Sequence, residues 1–471
     1  MGEVAVVGAG PNGLTAAAVI ARAGVPVMVY EANAELGGAA RTQRLGTSGA
    51  TFDLGSAVHP MALLSPAFVD LGVHRRVRFE TPELSFAHVL DRRSAHAWRD
   101  LDRTAEELGG AEGRVYRRLL GPLSEHIDEL AAVLLNPLPR AGREGAALAR
   151  FAAAVPSAMV LRDLYSERFP RAAALLAGCA AHLAGGGRGP AALGSGLFLA
   201  ASAHAGGWPI PIGGSQAISD ALAEEAAAHG AQFHRSQPVT DLRQLDEEVV
   251  LFAVGAEEAA RIAGERIRPP LRRRLVSTRR PPGSCVVHFL LREPVPWREK
   301  QLHRAGTVHL GGDARRVVRV ERQSRTHTVQ RPYVIVSQPS LFDGSRTSDN
   351  TQVLWTYCHV PRGSGADMAA AVTAQIEAAA PGFGDTVLER YAVPAAGLEQ
   401  QNAALVGGDI TGGSMDLRGA LLRPRLSSSP WRVGRGLYLV SSAASPGPSV
   451  HGMGGYLGAA DMLRTEYSLT V

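Results

Sequence analysis

The spacing of apolar positions changes several times along the chain. Val4-Ala5-Val6-Val7 is an unbroken apolar run, the pattern of a short parallel strand buried on both faces. An alanine-rich stretch follows from about Gly13 to Ala23, with Gly24 as its stop signal, and predicts a helix. Val25–Tyr30 then predicts a second strand, which ends at Glu31. A complete strand–helix–strand unit therefore fits in about 30 residues. The other end of the chain carries a partner pattern. Gly436–Val440 predicts a strand, Ser441–Pro448 a loop, and Val450–Gly455 opens a closing helix to about Leu463, with Tyr456 on its core side. Between them, Ala217–His229 is spaced as an amphipathic helix. Short strands are expected at Gln232–His234 and Val239–Leu242, and a buried strand at Glu248–Val254. The segment 66–204, notably 172–204, is rich in Ala, Leu and Gly and poor in polar side chains. It predicts packed helices, either lining an apolar cavity or forming a plain helical core.

Composition narrows the class. At 471 residues the chain has room for two to four modules of roughly 150 residues. Hydrophobic residues at 45% and charged residues at 20% describe an ordinary globular protein. Cys179, Cys285 and Cys358 form no C-x-x-C pair, so no disulfide framework, redox dithiol or metal site is expected. The net charge of +5 invites a nucleic-acid reading, but of 49 basic residues only Lys300 is a lysine. Arginine-, alanine- and glycine-rich usage of this kind follows GC-rich coding, and no aromatic platform interleaves the basic residues, so no nucleic-acid partner is expected. The shortage of lysine also argues against a lysine base or Schiff base. The longest uncharged run, Gly189–Ser219, is broken by Pro190, Pro209 and Pro211, so no transmembrane span is expected. The chain opens directly on a strand without a leader pattern, which predicts a cytoplasmic protein.

The first chemical signal is Gly8-Ala9-Gly10-Pro11-Asn12-Gly13, a G-x-G-x-x-G turn between the first strand and its helix. Gly8 permits the tight turn, Gly10 lets the backbone approach a pyrophosphate, and Gly13 lets helix and strand pack closely. The helix N-terminus offers N–H groups to the anion. Glu31, followed by Ala32, is placed to accept hydrogen bonds from a ribose diol and to repel a 2′-phosphate. A second glycine pair follows in Glu35-Leu36-Gly37-Gly38-Ala39-Ala40-Arg41-Thr42, where Arg41 can neutralise phosphate charge. Phe52-Asp53-Leu54-Gly55-Ser56 gives a further close approach.

The segment Val4–Thr42 resembles the FAD site of the amine oxidase and phytoene desaturase superfamily. Further segments narrow the resemblance: Gly55-Ser56-Ala57-Val58-His59-Pro60, Gly207-Trp208-Pro209, Pro294-Val295-Pro296-Trp297, Gly306-Thr307-Val308-His309-Leu310, Trp355-Thr356-Tyr357-Cys358-His359, Gly407-Gly408-Asp409-Ile410 and Val450-His451-Gly452-Met453. Together they are similar to the bacterial branch of phytoene desaturase-related oxidoreductases, which includes pyridine nucleotide-disulphide oxidoreductase domain-containing proteins. The resemblance implies an α/β fold with an α+β substrate part. A Rossmann-like FAD-binding domain of the glutathione-reductase type would comprise 1–65, 205–265 and 430–471. A discontinuous substrate domain would comprise 66–204 and 266–429. It implies cofactor contacts at Gly8, Ala9, Gly10, Pro11, Asn12, Gly13, Glu31, Ala32, Gly37, Gly38, Ala39, Arg41, Thr42, Gly55 and Ser56. Val239 would meet adenine, Val254 and Gly255 would lie near the cofactor, and Ser442, Gly452 and Met453 would face the flavin ring. Two departures stand out. Val286 and His288 occupy places where relatives carry a lysine and an acid, and Ser441-Ser442 replaces a Gly-Asp pair.

The implied activity is dehydrogenation of an apolar metabolite in natural-product or carotenoid-like biosynthesis, with hydride passing to flavin N5 and electrons leaving to oxygen or a quinone. Desaturation also removes a proton, for which His451, His59 and His288 are the catalytic candidates, with His204 behind them. Two other readings remain: a flavin-dependent isomerase or cyclase without net redox change, and a lipid-binding module of the dissociation-inhibitor type. Arg266–Arg280 holds seven arginines in 15 positions and is expected to be a solvated loop; its alternative is contact with a membrane surface or a carrier protein.

Overall fold

The computed structural model describes residues 2–91, 93–137, 145–184 and 189–471, and of Ala420 and Leu421 the backbone alone. Segments far apart in sequence build a six-stranded sheet in the order Arg432–Gly434, Leu437–Leu439, Val249–Phe252, Val4–Val7, Val27–Tyr30, Gln232–His234. All its pairings are parallel except the edge hairpin of Arg432–Gly434 with Leu437–Leu439. Val4–Val7 lies inside this sheet with all four residues buried, as its unbroken apolar run requires. Helix Pro11–Arg22 packs between helices Gln216–Ala228 and Met453–Met462, so the two chain ends share one layer.

The first helix starts at Pro11 rather than Gly13, because proline at the first helical position brings a φ already suited to the helix. Val239–Leu242 is not a strand. Asp241 instead caps a 3₁₀ turn at Leu242–Gln244, its carboxylate accepting from the Arg243 N–H. The arginine-rich run is not wholly a solvated loop either. It contains the helix Pro269–Val276, and the Arg280 guanidinium is buried between Glu257 and Asp409.

The second sheet has seven strands in the order Val387–Val393, Gly283–Leu291, Gln352–Val360, Val334–Ser337, Ala305–Leu310, Leu84–Val89, Ser94–Trp98. It is antiparallel except where Ala305–Leu310 meets Leu84–Val89. Both faces are covered. On Gly283–Leu291, the side chains of Cys285, Val287, Phe289 and Leu291 join Val372 and Ile376 of helix Ala369–Ala379 in one cluster. Val286 points the other way, with Trp355, Tyr357 and Ile335, toward helix Pro170–Ala180. The Ala/Gly-rich stretch gives helices Pro170–Ala180 and Pro190–Ala205, and its small residues have a reason. A Cβ on Gly178 would sit 2.6 Å from Nδ1 of both His88 and His309, and one on Gly196 2.6 Å from the Ala180 nitrogen. Among the described residues no helix is long and apolar enough to cross a membrane.

A buried ion chain ties the pieces together. Arg346 pairs with Asp53 and with Asp343, each at 2.7 Å, and all three side chains are almost fully buried. Asp53 belongs to the hairpin Thr42–Arg44/Thr51–Asp53, and Asp343 also accepts from the Gly213 N–H. Removing one partner strands a buried charge, so Arg346→Met is expected to lower stability by about 3–5 kcal/mol, measured by urea unfolding.

Candidate active site

One cavity of about 1150 Å³ runs from the C-terminal ends of the parallel strands to the inner face of the second sheet. Its upper part is built by the two glycine turns. Gly8, at φ +98°, turns the chain from strand to helix, and its N–H donates to the Tyr30 carbonyl at 2.8 Å. A Cβ on Gly13 would overlap the Gly8 carbonyl oxygen, so this glycine closes the helix onto the strand. Gly10 differs: the nearest protein atom to a Cβ there is Gly38 Cα at 3.8 Å, and Gly10 lines the cavity. Conversely, a Cβ on Gly38 would lie 2.9 Å from Gly10 Cα. The two turns thus meet backbone to backbone and form a cradle without side chains, which fits a pyrophosphate.

Glu31 holds the first turn. Its Oε2 accepts from the Ala9 N–H at 2.8 Å, and its Oε1 from the Asn33 backbone and side-chain amides at 2.9 and 2.8 Å. It still lines the cavity, where the remaining lone pairs of a carboxylate can accept a diol. Pro11, Asn12, Ala32, Ala39, Gly55 and Ser56 line the same region, joined by Val239, Val254 and Ser442 from later segments.

The other residues expected at the cofactor do not line the cavity. Ala9, Gly13 and Gly37 stand behind the cradle, the Gly37 N–H donating to the Ala9 carbonyl at 2.8 Å. Arg41, expected to neutralise phosphate charge, is bonded to backbone. It donates to the carbonyls of Gly38 at 2.9 Å and Gln401 at 3.1 Å, bracing the second turn. The Thr42 hydroxyl donates to Asp53 at 2.6 Å. Gly255 caps helix Ala256–Ala263, and Gly452, at φ +65°, turns into the closing helix, which Met453 begins.

The histidines separate into distinct roles. His59 lines the cavity and its Nε2 lies 2.7 Å from the Ser215 Oγ. The Ser215 hydroxyl donates to the Ser56 carbonyl, so it accepts from His59, which assigns the ring proton to Nε2. Nδ1 then carries a lone pair with no partner among the described residues. Ser215 is itself fixed by its N–H to Asp53 at 2.7 Å. Burial pushes the His59 pKa down to about 4, Arg346 adds to this and Asp53 opposes it. His451 also lines the cavity, and its ring nitrogens are engaged by backbone groups. Its Nδ1 accepts from the Met453 N–H at 3.0 Å and caps the closing helix, while the carbonyls of Pro448 and Gly447 face the ring. His288 stands behind the cavity wall, edge-on to Phe52 at 5.5 Å, and is not a cavity residue. His204 is structural, bonded to the Trp98 carbonyl at 2.7 Å and the Tyr116 hydroxyl at 2.9 Å.

The lower chamber is apolar. Leu134, Phe151, Val155, Met159 and Phe198 come from the helices, and Val286, Ile335, Trp355 and Tyr357 from the sheet. Tyr456 is half-buried between the cores of the two halves rather than deep in either. Arg423, which no motif marks, also lines the cavity. It donates to the carbonyls of Thr411, Gly413 and Ser414 at 2.8, 2.9 and 3.1 Å and to that of Ser442, and burial lowers its pKa to about 10. It thereby clasps the loop after Asp409 to the loop after Leu439. Among the described residues no cluster of His, Cys, Asp or Glu is arranged to hold a metal.

Residues 12–365 match the model of a family described as flavin containing amine oxidoreductase. Pyridine nucleotide-disulfide oxidoreductase domain-containing protein 2 of Rattus norvegicus is 26% identical over 541 residues, covering 96% of this chain and 92% of its own. A limonene dehydrogenase component of Castellaniella defragrans is 44% identical over 71 residues, 15% of this chain and 13% of that one. The solved structure of cyclohexylamine oxidase from Brevibacterium oxydans has a similar fold, with a TM-score of 0.56 at 16% identity and coverage of 99% and 100%.

The glycines give a paired test. Gly10→Ala directs its methyl group into the cradle and not into protein, so the variant should purify without flavin absorbance yet melt like the parent stripped of its FAD. Gly13→Ala should instead lower stability by about 1–3 kcal/mol through overpacking, seen in thermal melts.

Proposed function

The chain belongs to the flavin-containing amine oxidoreductase family and is an FAD-dependent oxidoreductase; on that premise we propose that it dehydrogenates an apolar metabolite and passes the electrons to oxygen or a quinone. The observation that carries this reading is the continuity of one cavity, in which the glycine cradle opens directly into a chamber walled by Leu, Val, Phe, Met, Trp and Tyr side chains. The local similarity to a limonene dehydrogenase agrees with it, since limonene is a hydrocarbon.

FAD, when bound, supplies the two-electron acceptor for hydrogen leaving a substrate C–H bond. The chain's own part is to bind, orient and exclude water. Gly8, Gly10 and Gly38 admit the pyrophosphate, Glu31 the ribose, and Val239 the adenine. The apolar chamber desolvates the reacting carbon and holds it in one pose. Loss of two hydrogens from adjacent carbons also releases a proton, and Nδ1 of His59 is a basic atom on the cavity wall without a partner among the described residues. Ser215 and the Ser56 carbonyl hold that ring in the tautomer that accepts at Nδ1.

The reading is tested by mixing the FAD-loaded protein anaerobically with a panel of cyclic and linear terpenes and related apolar metabolites. Bleaching of the flavin band by one of them, reversed by oxygen or a quinone, is the expected result. Conversion without bleaching would instead mark an isomerase or cyclase. His59→Gln should slow bleaching about 10²-fold or more with substrate affinity retained. The pH profile checks the same group. A histidine neutral down to about pH 4 keeps its base form across the ordinary range. The rate should therefore stay flat from about pH 8 to 5.5, whereas a base with the ordinary value near 6.5 would already be mostly protonated at the lower end of that range.

A further inference from the structure

The inner face of the seven-stranded sheet carries a row of hydrogen-bonding side chains that the fold itself does not use. Thr307, Ser337 and Trp355 are cross-strand partners on three neighbouring strands. Adjacent strands lie about 4.8 Å apart, so the row spans about 10 Å. All three side chains line the cavity, and they are 2%, 2% and 6% exposed. Neither Thr307 Oγ1 nor Trp355 Nε1 has a hydrogen-bond partner among the described residues. A buried polar atom without a partner is destabilising, and native folds retain few of them. Two such atoms on one rung of one sheet, both in a cavity wall, point to a partner supplied from outside the chain.

The row is also neutral. The other cavity-lining residues of these strands and of Gly283–Leu291 are Val286, Ile335 and Tyr357. His182, which borders the same wall, is kept uncharged by burial, with a pKa pushed down to about 3. The charged residues that line the cavity belong to other segments. Glu31 holds the first glycine turn, the terminal nitrogens of Arg423 donate to carbonyl oxygens, Glu258 pairs with Arg261, and Arg425 donates to the Ser429 carbonyl, the Nε of Arg423 and that of Arg425 having no partner among the described residues. An ammonium group on this wall would find no carboxylate, and a carboxylate would find no guanidinium.

We infer that the Thr307–Ser337–Trp355 row binds a neutral oxygen function, a ketone, hydroxyl or ester carbonyl, on an otherwise apolar substrate. The Trp355 indole N–H donates to that oxygen, and the Thr307 and Ser337 hydroxyls donate or accept as its chemistry requires. This rests on the reading that the chamber takes an apolar metabolite, and it adds what anchors that metabolite.

The test uses three probes with one carbon skeleton: p-menthane, menthone and menthylamine. Each is titrated into the FAD-loaded full-length protein while the flavin absorbance band is followed. The deciding quantity is the ratio of menthone to p-menthane affinity. In the double variant Thr307→Val, Trp355→Phe it should fall about tenfold, the loss expected for one to two hydrogen bonds. The affinity for p-menthane should stay within about threefold, and an unchanged flavin content and melting temperature would show the variant folded. An unchanged ratio would overturn the inference and leave the apolar-substrate reading standing. Tighter binding of menthylamine than of menthone by the parent protein would overturn it as well, because a cation would then be preferred. If none of the three probes bound, the apolar-substrate reading would fail and this inference with it.

Discussion

The structure depends on a contact made possible by two missing side chains. Gly10 and Gly38 come from different turns, and their backbones touch so closely that a Cβ on Gly38 would crowd Gly10 Cα at 2.9 Å. Neighbouring residues act to maintain that approach. Glu31 holds the Ala9 amide, the Ala9 carbonyl holds the Gly37 amide, and Arg41 grips the Gly38 carbonyl. The parallel strand order places the ends of Val4–Val7 and Val27–Tyr30 side by side, so that these short links can reach. A cofactor-sized cleft with bare peptide walls follows from that arrangement. Polar side chains of the same region are drawn into its support and away from the cleft.

The treatment of charge follows the same logic. Asp53, Arg346 and Asp343 neutralise one another behind the wall, as do Arg280 and Asp409. Arg423 spends its two terminal nitrogens on main-chain oxygens. The paired ions are expensive to bury singly and tolerable as chains. The ion pairs Asp53–Arg346–Asp343 and Arg280–Asp409 stand outside the cavity lining, and burial holds His59 and His182 neutral. The wall formed by the strands from Gly283–Leu291 to Ala305–Leu310 therefore carries no charged side chain that would recognise an ion.

Much of this was legible in the chain. The glycine turn, Glu31 and the closing helix declare themselves because each needs a residue type that few alternatives satisfy at that place. The boundaries were less legible. Pro11 advanced the first helix by two residues, and Asp241 converted an expected strand into a capped turn. Roles of single side chains were least legible. His451 and Arg41 stand in motifs that suggest chemistry, yet whether a nitrogen faces a ligand or a backbone amide depends on segments hundreds of residues away or on a turn's last few degrees. Arg423 and Ser337 stand in no marked segment, and although Thr307 and Trp355 lie in segments that carry the resemblance, their joint row arises from cross-strand register and could not be read locally.

The alternation of side chains along Gly283–Leu291 divides labour by parity. Odd-numbered positions sit in the cluster under helix Ala369–Ala379, and even-numbered Val286 faces the chamber. The same division holds on the neighbouring strands, where Val336 and Leu354 anchor the sheet and Ile335 and Tyr357 look inward. Substitutions at the inward set would therefore reshape the cavity wall while the outward set keeps the scaffold folded. Descendants of such a sheet can diverge in diet long before they diverge in architecture.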